Sequence, residues 1–330
     1  YNLKSKFVFG TVAANCFDEK TEILTREGWK KWYELHEDLE IATLSPEGYL
    51  EYYKPIRIIV QNYSGPMYRL KTKYLDFLVT PNHRLYVSKK RIYKKDRPKE
   101  LKRIKELGRC YEWSSFHFEE AKDVFGKQRR FKKNAKWTGI SKDYLLISGL
   151  KLRTKEFLRV LGYYISEGYT QGNFVFITQS DSEKRERIAK DIEALGFKPR
   201  LYEGKVAFYS PELASYFSKL GHALDKYIPR EVLELSPEYL GELWYAMLLG
   251  DGWVSGTQEV YSTSSERLAG DVQELLLKLG SAGDITCKLP KERYINGRRI
   301  PVERQHVCYC ITRKKEVLEV QNRHTGESAK

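Results

Sequence analysis

The sequence predicts a multidomain protein in which a mostly-β N-terminal half precedes an α+β half built from two related repeats. Its 330 residues are enough for two or more domains. Residues 16–90 are rich in β-prone runs and turn residues, whereas residues 146–330 alternate helical and strand-like patterns. In that second half a helix, a strand-like run and a further helix occur twice, at about 150–235 and 236–330, which indicates an internal duplication.

Each repeat opens with an amphipathic helix. Apolar residues recur in both at positions i, i+3, i+4, i+7 and i+8, which is the spacing of one buried helix face. They are Phe157, Val160, Leu161, Tyr164 and Ile165 in the first helix, and Leu240, Leu243, Trp244, Met247 and Leu248 in the second. Thr154 is the expected N-cap of the first helix, and Ser236 followed by Pro237 starts the second.

Both helices end at an acid followed by glycine, and small residues one turn apart precede each acid. The small residues are Gly162 and Ser166 in the first helix, and Ala246 and Gly250 in the second. Helices that cross through such residues approach closely, so the carboxylates of Glu167 and Asp251 would meet and repel each other. Mg²⁺ relieves such repulsion, because it prefers carboxylate oxygen and retained water. A single acid followed by glycine is merely a common helix end, whereas two matching copies favour a metal site.

The segments that follow the two helices also run parallel. Strand-like runs at 174–177 and 260–261 are each followed by a predicted helix, from about 182 to 195 and from about 265 to 279. With this pattern, the nonapeptides Val160–Gly168 and Trp244–Gly252 resemble the LAGLIDADG motif. The resemblance implies a pseudo-two-fold, single-chain homing endonuclease with αββαββα-type repeats.

The same resemblance implies a monomeric enzyme that hydrolyses phosphodiesters in double-stranded DNA, with strands of both repeats in the major groove. Its cofactor would be Mg²⁺, with two or more ions shared by Glu167 and Asp251. Gln179 matches a position that often bears a polar active-site residue, and Lys226 matches a lysine associated with the active site. The second repeat offers no convincing lysine counterpart, so symmetric cutting of the two DNA strands is not expected.

Composition favours a polyanionic partner in a reducing compartment. The formal net charge is +14 and the pI is near 9.3. No apolar stretch reaches transmembrane length and the start is not a signal peptide, so we expect no membrane partner and a cytoplasmic location. The cysteines form no CxxC pair, and Cys308 and Cys310 would share one strand face. The high charged fraction of 31% and only 2 Met lean towards a thermophilic source.

The N-terminal half contains a second candidate site. The pattern changes at Cys16 after residues 1–15, and Thr80-Pro81-Asn82-His83 forms a turn between two strand-like runs. Alone, Cys16 would be a buried small residue and His83 a turn histidine. Together with the downstream endonuclease they resemble an intein, with Cys16 as its first residue and Thr80–His83 as its TxxH box. The resemblance covers about 16–90 and implies the mostly antiparallel, horseshoe-shaped Hint fold, with residues 1–15 as a flank of the host protein (extein).

The intein resemblance also implies an acyl shift. The Cys16 thiolate would displace the amide nitrogen of the Asn15–Cys16 bond to give a thioester. His83 would polarise that bond by proton transfer, and Thr80 would hydrogen-bond the backbone nearby. The final Hint strands and a terminal His-Asn pair are not found in the sequence. We therefore expect either the N-terminal piece of a split intein or a shortened chain. In both cases the chain would need a partner to complete splicing, either the missing C-terminal segment or a C-terminal intein fragment.

Basic clusters surround the predicted endonuclease. We expect residues 91–145 to be a linker with accessory DNA contacts, and the second repeat to add a further basic surface. The predicted DNA-binding residues are Lys94, Lys95, Arg97, Arg129, Arg130, Lys132, Lys133, Arg298 and Arg299.

Two alternatives remain open beside an intein segment that carries an active endonuclease. One is a nuclease-inactive DNA- or RNA-binding protein of the same fold, against which the presence of both acids argues. The other is an autoprocessing domain with a passenger endonuclease. The predicted domains are residues 1–15, 16–90, 91–145 and 146–330.

Overall fold

A computed structural model describes residues 6–7, 16–71, 76–92, 111–132, 134–295 and 298–314. The chain divides into two units. The N-terminal unit comprises Tyr1–Ser45 and Glu51–Asn134, and the C-terminal unit comprises Pro46–Leu50 and Ala135–Lys330. Of the helices within these described ranges, none has the length and apolar character needed to cross a membrane.

Short strands dominate the N-terminal unit. They are β1 (Lys6–Phe7), β2 (Glu22–Thr25), β3 (Gly28–Lys31), β4 (Ile41–Leu44), β5 (Leu50–Tyr53, which begins at the unit boundary), β6 (Tyr68–Lys71), β7 (Asp76–Val79), β8 (Arg84–Ile92), β9 (Tyr111–Trp113), β10 (His117–Glu120) and β11 (Arg129–Phe131). Among the described residues of this unit, a short helix, α1 (Ala121–Val124), and a 3-10 turn at Trp32–Glu34 accompany the strands.

The described strands of this unit form several small sheets. One has the order β1-β2-β4-β5 with β3 beside β2, a second pairs β6 with β7, and a third has the order β10-β8-β11 with β9 beside β8. Strands β7 and β8 with helix α1 enclose a small core, formed by Phe77, Val79, Leu85, Val87, Ala121 and Val124. The mostly-β prediction is confirmed, whereas the horseshoe-shaped Hint fold is not shown by these sheets and stays a prediction.

The C-terminal unit mixes helices and strands. Its helices are α2 (Thr154–Glu167), α3 (Ser182–Ala194), α4 (Pro211–Ser218), α5 (Arg230–Leu233), α6 (Pro237–Asp251) and α7 (Glu266–Lys278), with a 3-10 turn at Val302–Arg304. Its strands are β12 (Tyr144–Ile147), β13 (Leu150–Arg153), β14 (Gly168–Gln171), β15 (Phe174–Thr178), β16 (Pro199–Tyr202), β17 (Lys205–Tyr209), β18 (Gly252–Ser255), β19 (Gln258–Thr263), β20 (Gly283–Lys288), β21 (Arg293–Ile295), β22 (Arg298–Ile300) and β23 (Cys308–Lys314).

The predicted duplication is visible in the topology of this unit. The first repeat forms an antiparallel sheet of order β14-β15-β17-β16, and the second forms one of order β18-β19-β23-β20. Each repeat therefore runs helix, two strands, helix, two strands. They differ at the last connection, where a two-residue turn joins β16 to β17 but the hairpin β21–β22 lies between β20 and β23.

Helices α2 and α6 cross through their small residues, as the sequence predicts. A Cβ atom placed on Gly162 would lie 2.7 Å from Cβ of Ala246, and one on Gly250 would lie 2.5 Å from Cβ of Ser166. Such distances leave no room for a side chain, so the glycines set the spacing between the helices. Ser236 is the N-cap of α6 as predicted, but Arg153 rather than Thr154 precedes α2. Thr154 lies inside that helix and its hydroxyl donates to the carbonyl of Lys142.

The apolar faces of both helices pack in one core with the two sheets. Phe157, Tyr163 and Tyr164 of α2 are almost completely buried and lie among its largest side chains. Complete burial of one such side chain stabilises a fold by about 1.5–3 kcal/mol. The close crossing of α2 and α6 therefore lies within the buried core of the unit, which fixes the positions of their C-terminal ends.

Candidate active site

Helices α2 and α6 both pass directly into the first strand of their sheet. Gly168 follows Glu167 with φ −91° and ψ 153°, and Gly252 follows Asp251 with φ −110° and ψ 165°, so both glycines are extended. A Cβ atom on Gly168 would lie 2.5 Å from Cα of Tyr164, and one on Gly252 would lie 2.5 Å from Cα of Leu248. The glycines are therefore required by a tight helix-to-strand corner and not by a left-handed backbone.

The crossing brings the two acids together. Glu167 and Asp251 are both half-buried, and the Cγ of Glu167 lies 3.6 Å from the Cβ position of Gly250, the neighbour of Asp251. Burial and the adjacent Glu167 carboxylate raise the pKa of Asp251 to about 7. Two adjacent carboxylates in a half-buried site form a place where a cation is stabilised.

The donor chemistry of this place fits a hard divalent cation. Within the described parts of the chain, no cluster of three or more His, Cys, Asp or Glu side chains surrounds a metal position. Two carboxylates are nevertheless enough for Mg²⁺, which keeps several waters and takes its remaining ligands from substrate phosphates. Glu167 and Asp251 would hold the ion, and softer metals that require thiolate or imidazole are disfavoured by these ligands.

Lys226 lies beneath the end of α2. It is 6% exposed, and its Nζ donates to the carbonyl oxygens of Tyr164 at 2.8 Å, of Gly168 at 3.0 Å and of Ser166 at 3.4 Å. Burial lowers the pKa of Lys226 to about 8, although Asp251 and Glu167 oppose that shift. Because a helix C-terminus carries partial negative charge, this ammonium group offsets the cost of an acid in the last turn.

The second repeat holds the segment that carries Lys226. The hydroxyl of Ser265 donates to the carbonyl of Lys226 at 2.7 Å, and a carboxylate oxygen of Asp271 accepts from the amide of Ile228 at 3.0 Å. Arg230 then forms two hydrogen bonds, at 2.7 and 2.8 Å, to the buried carboxylate of Glu274. These residues were missed from the sequence, because no spacing rule connects residues that are about 40 positions apart.

A different lysine reaches the end of α6. Lys184, in the first turn of α3, donates from its Nζ to the carbonyl oxygen of Leu249 at 2.8 Å. The sequence offered no lysine counterpart to Lys226, and this one comes from the first repeat rather than from the second. Its role was missed because Lys184 resembles any charged residue on an exposed helix face.

Gln179 follows β15 and is engaged locally. Its side-chain Oε1 accepts from the backbone amide of Asp181 at 3.1 Å, and its backbone amide donates to the carbonyl of Gly204 at 2.8 Å. In the described structure its hydrogen bonds therefore go to the start of α3 and to the β16–β17 turn, and none goes to Glu167 or Asp251. An active-site role for Gln179 stays a prediction.

The second candidate site lies within the N-terminal unit, where Cys16, Thr80 and His83 come together. The amide of Cys16 donates to Oγ1 of Thr80 at 3.2 Å, the amide of Thr80 donates to the carbonyl of Cys16 at 3.1 Å, and the amide of His83 donates to the carbonyl of Thr80 at 3.1 Å. His83 is 1% exposed and its ring packs edge-on against Phe17 at 4.3 Å. Gln61 was not predicted, and its Nε2 lies 3.4 Å from Sγ of Cys16.

The predicted DNA-binding residues have unequal surroundings. Arg129 donates to Glu119 at 2.7 Å, a carboxylate that Lys89 also contacts, whereas Arg130 is exposed and Lys132 lies over the ring of Phe116 at 5.5 Å. Arg298 and Arg299 lie in β22 of the additional hairpin. Lys94, Lys95, Arg97 and Lys133 lie outside the described residues.

Comparisons with known proteins bear on the second repeat first. A family model described as a LAGLIDADG-like domain matches residues 238–320, from the start of α6 to beyond β23. A solved structure of I-DmoI in complex with DNA and Mn is 16% identical, with a TM-score of 0.35, and the alignment covers 49% of this chain and 90% of that one. A TM-score this low establishes no shared fold, so only the family model relates residues 238–320 to LAGLIDADG-like domains.

Two curated relatives have unrelated names. The chain is 26% identical over 323 residues to the ATP-dependent Clp protease proteolytic subunit of Chlamydomonas moewusii. That alignment covers 87% of this chain and 30% of that protein. It is 25% identical over 299 residues to the DNA-directed RNA polymerase subunit beta C-terminal section of Stigeoclonium helveticum. That alignment covers 80% of this chain and 26% of that protein. The chain thus spans less than a third of the length of either relative, and it is similar to the LAGLIDADG-like family over residues 238–320.

Proposed function

We propose that the C-terminal unit is a homing endonuclease that hydrolyses phosphodiesters in duplex DNA, with Mg²⁺ held between Glu167 and Asp251. The observation that carries this proposal is the meeting of two half-buried carboxylates at the ends of two duplicated, closely crossed helices. The LAGLIDADG-like match to residues 238–320 supports it, because that range includes Asp251.

The residues of the chain divide the work as follows. When bound, the divalent ion supplies the Lewis acidity that phosphodiester hydrolysis needs. Glu167 and Asp251 bind the ion and must both be ionised to do so. Lys226 fixes the end of α2 through three carbonyl oxygens, and its positive charge favours ionisation of Asp251. Gln179 is proposed as a polar residue that orients substrate beside them.

A cleavage assay on a randomised duplex library tests the proposal. The chain is incubated with the library in Mg²⁺, and new ends are captured and sequenced. We expect recurrent cut sites with the wild-type chain and none with Glu167→Gln or Asp251→Asn. Binding of duplex DNA without any Mg²⁺-dependent cut would contradict the endonuclease and favour the nuclease-inactive alternative.

Accessory DNA contacts are proposed for two basic residues of the N-terminal unit, the exposed Arg130 and the half-buried Lys132. Replacing Arg130 and Lys132 by alanine should lower the slope of log K against log salt by about one for each phosphate that is no longer bound. Arg129, which pairs with Glu119, provides the control and should change the slope less when replaced. An unchanged slope in the double variant would mean that these residues do not contact DNA.

A second function, Cys16-initiated protein splicing, is proposed for the N-terminal unit. The hydrogen bonds that join Cys16, Thr80 and His83 support it, since the acyl shift needs a nucleophile and groups that polarise its amide bond within one small site. The relatives support it too. A protease subunit and an RNA polymerase subunit share no activity, yet both resemble most of this chain over a minor part of their own length. An element inserted into unrelated host proteins would give that pattern.

Hydroxylamine tests the first splicing step. In the shift, Sγ of Cys16 bonds to the carbonyl carbon of Asn15, the amide C–N bond breaks, and the freed nitrogen takes a proton. Hydroxylamine then displaces the thiol and releases residues 1–15 as a hydroxamate. Mass spectrometry should detect that loss in the wild-type chain and in Cys287→Ala, which replaces a cysteine of the C-terminal unit, but not in Cys16→Ala. His83→Ala should slow it markedly. An intact wild-type mass in a folded chain, with and without a C-terminal intein fragment, would contradict the splicing role.

A further inference from the structure

The sheet of the first repeat exposes an aromatic face. Along β15, Val175 and Ile177 point into the core, so Phe174 and Phe176 lie on the opposite, outer face. The strand registers place Tyr169, Tyr202 and Tyr209 on the same face. The three tyrosines are 37%, 45% and 53% exposed, respectively. A contiguous group of exposed rings, unlike a single exposed ring, is typical of a binding surface.

Cations are held over these rings. Arg200 lies 5.1 Å from the centroid of Phe174, and Lys205 lies 5.0 Å from that of Phe176 and 5.8 Å from that of Tyr202. Neither cation forms an ion pair within the described residues, and no outward position of these four strands is acidic. The face therefore combines apolar rings with positive charge, which favours an anionic occupant that also offers apolar groups.

The corresponding face of the second repeat is chemically different. Its outward side chains include Ser262, Asp284, Thr286 and Thr312, with the thiols of Cys308 and Cys310 at 3.9 Å from each other. Trp253, which is 52% exposed, is the one aromatic residue among its outward positions whose side chains are described. This face therefore presents hydrogen-bonding groups where the first presents rings.

Both faces begin at the candidate active site. Strand β14 starts immediately after Glu167 and strand β18 starts immediately after Asp251. A duplex bound at the two acids would therefore extend over both faces, with one half of the binding site on each. The two halves of the DNA are then read by different chemistry.

We propose, resting on the endonuclease function above, that the first-repeat face recognises a thymine-rich half-site through the 5-methyl groups of thymine, while the second-repeat face reads its half-site by hydrogen bonds. In the major groove thymine presents an O4 acceptor beside its methyl group, whereas guanine presents two acceptors and no methyl. A ring with an ammonium or guanidinium group beside it matches the thymine edge. Serine, threonine and aspartate match polar base edges and gain nothing from a methyl group.

Replacing thymine by uracil removes only the methyl group and so isolates this contact. A randomised duplex pool is first enriched on the full chain without added metal, and an enriched sequence is synthesised with uracil in one half or the other. We expect uracil in one half to weaken binding by about fourfold for each methyl contacted, from the transfer free energy of one methyl-sized group. Uracil in the other half should change binding less than twofold.

Surface variants assign the sensitive half to the first repeat. The affinity ratio is the affinity for the thymine duplex divided by that for the duplex with uracil in the sensitive half. The double variant Tyr202→Ala/Tyr209→Ala should reduce this ratio towards one. Tyr33→Ala, which changes a 63% exposed tyrosine outside both sheets, should leave it unchanged. Three results would each overturn this proposal: equal affinity ratios for uracil in the two halves, a double variant that keeps the wild-type ratio, or preference for single-stranded DNA. Cleavage of the enriched duplex in Mg²⁺ is scored separately. Its absence contradicts the proposed endonuclease, whereas cleavage with equal ratios overturns only the half-site assignment.

Discussion

Helices α2 and α6 end in similar helix-to-strand corners, but the lysine hydrogen bonds that stabilise the two ends differ. At α2, three carbonyl oxygens accept hydrogen bonds from the buried Lys226, whose segment is held by Ser265 and Asp271. At α6, one carbonyl oxygen accepts a bond from the half-buried Lys184. A duplicated motif therefore fixes where two acids meet without making their surroundings equal, and the two DNA strands need not be cut alike.

Removing either acid should produce the largest effect. Glu167→Gln and Asp251→Asn each keep the shape of the side chain and remove its charge, so we expect cleavage to fall by about 10²–10³-fold or more. Binding should persist, since loss of one like charge relieves repulsion in the metal-free site. Strand-specific cleavage on a defined duplex measures this, and Glu183→Gln, on the exposed first turn of α3, is the control. Near wild-type cutting by either variant would rule out shared ligation of the metal.

Replacing the two lysines tests the asymmetry directly. Lys226→Met removes the charge that neutralises the end of α2 while keeping most of the volume, and we expect cleavage of at least one strand to slow by about 10–100-fold. Lys184→Met removes an ammonium group that makes a single hydrogen bond at the end of α6, so it should slow cleavage less than about threefold. Accumulation of nicked duplex and the pH profile of each strand distinguish a catalytic effect from a loss of folded protein. Equal effects of the two variants would show that the ends of the helices are functionally alike.

The glycines of the crossing provide a stability test with a built-in control. Gly162→Ala and Gly250→Ala insert a methyl group at 2.7 and 2.5 Å from the facing Cβ atom, so each should lower the free energy of unfolding by about 1–3 kcal/mol. Gly241, in the same helix as Gly250, has open space around it, and a methyl group placed there would meet no atom within 4 Å. Gly241→Ala should instead raise the free energy of unfolding by about 0.5–1 kcal/mol through helix propensity. Urea denaturation compares the three, and a stabilised Gly162→Ala would mean that the helices do not pack closely in solution.

Local patterns in the sequence carried most of the fold of the C-terminal unit. The apolar spacing and the small residues of α2 and α6 were enough to predict their buried faces, their close crossing and the meeting of Glu167 with Asp251. The hydrogen bonds that support Lys226 were out of reach, because Ser265 and Asp271 lie about 40 residues away and polar residues show no periodicity of their own. The same limit applies to the contrast between the two sheet faces, since strand register is needed to decide which residues point outward.

The remaining expected effect concerns protons. Burial and Glu167 raise the pKa of Asp251 in the folded chain to about 7, above its value near 4 in the unfolded chain. The folded state therefore binds more protons between these values, and the free energy of unfolding should fall as the pH rises from about 4 to about 7 in the absence of metal.

Asp251→Asn should remove the contribution of Asp251 to that pH dependence. The free energies of unfolding of wild type and variant should therefore be similar near pH 4 and differ near pH 8. Asp271, whose pKa burial also raises to about 7, contributes equally to both proteins and cancels from the difference. Adding Mg²⁺ at pH 8 should stabilise the wild type and not the variant, because the ion replaces the repulsion between Glu167 and Asp251 with ligation. Urea denaturation at pH 5 and pH 8 measures these differences. A wild type whose loss of stability with pH matches that of Asp251→Asn would show that the two carboxylates do not meet closely enough to share a metal ion.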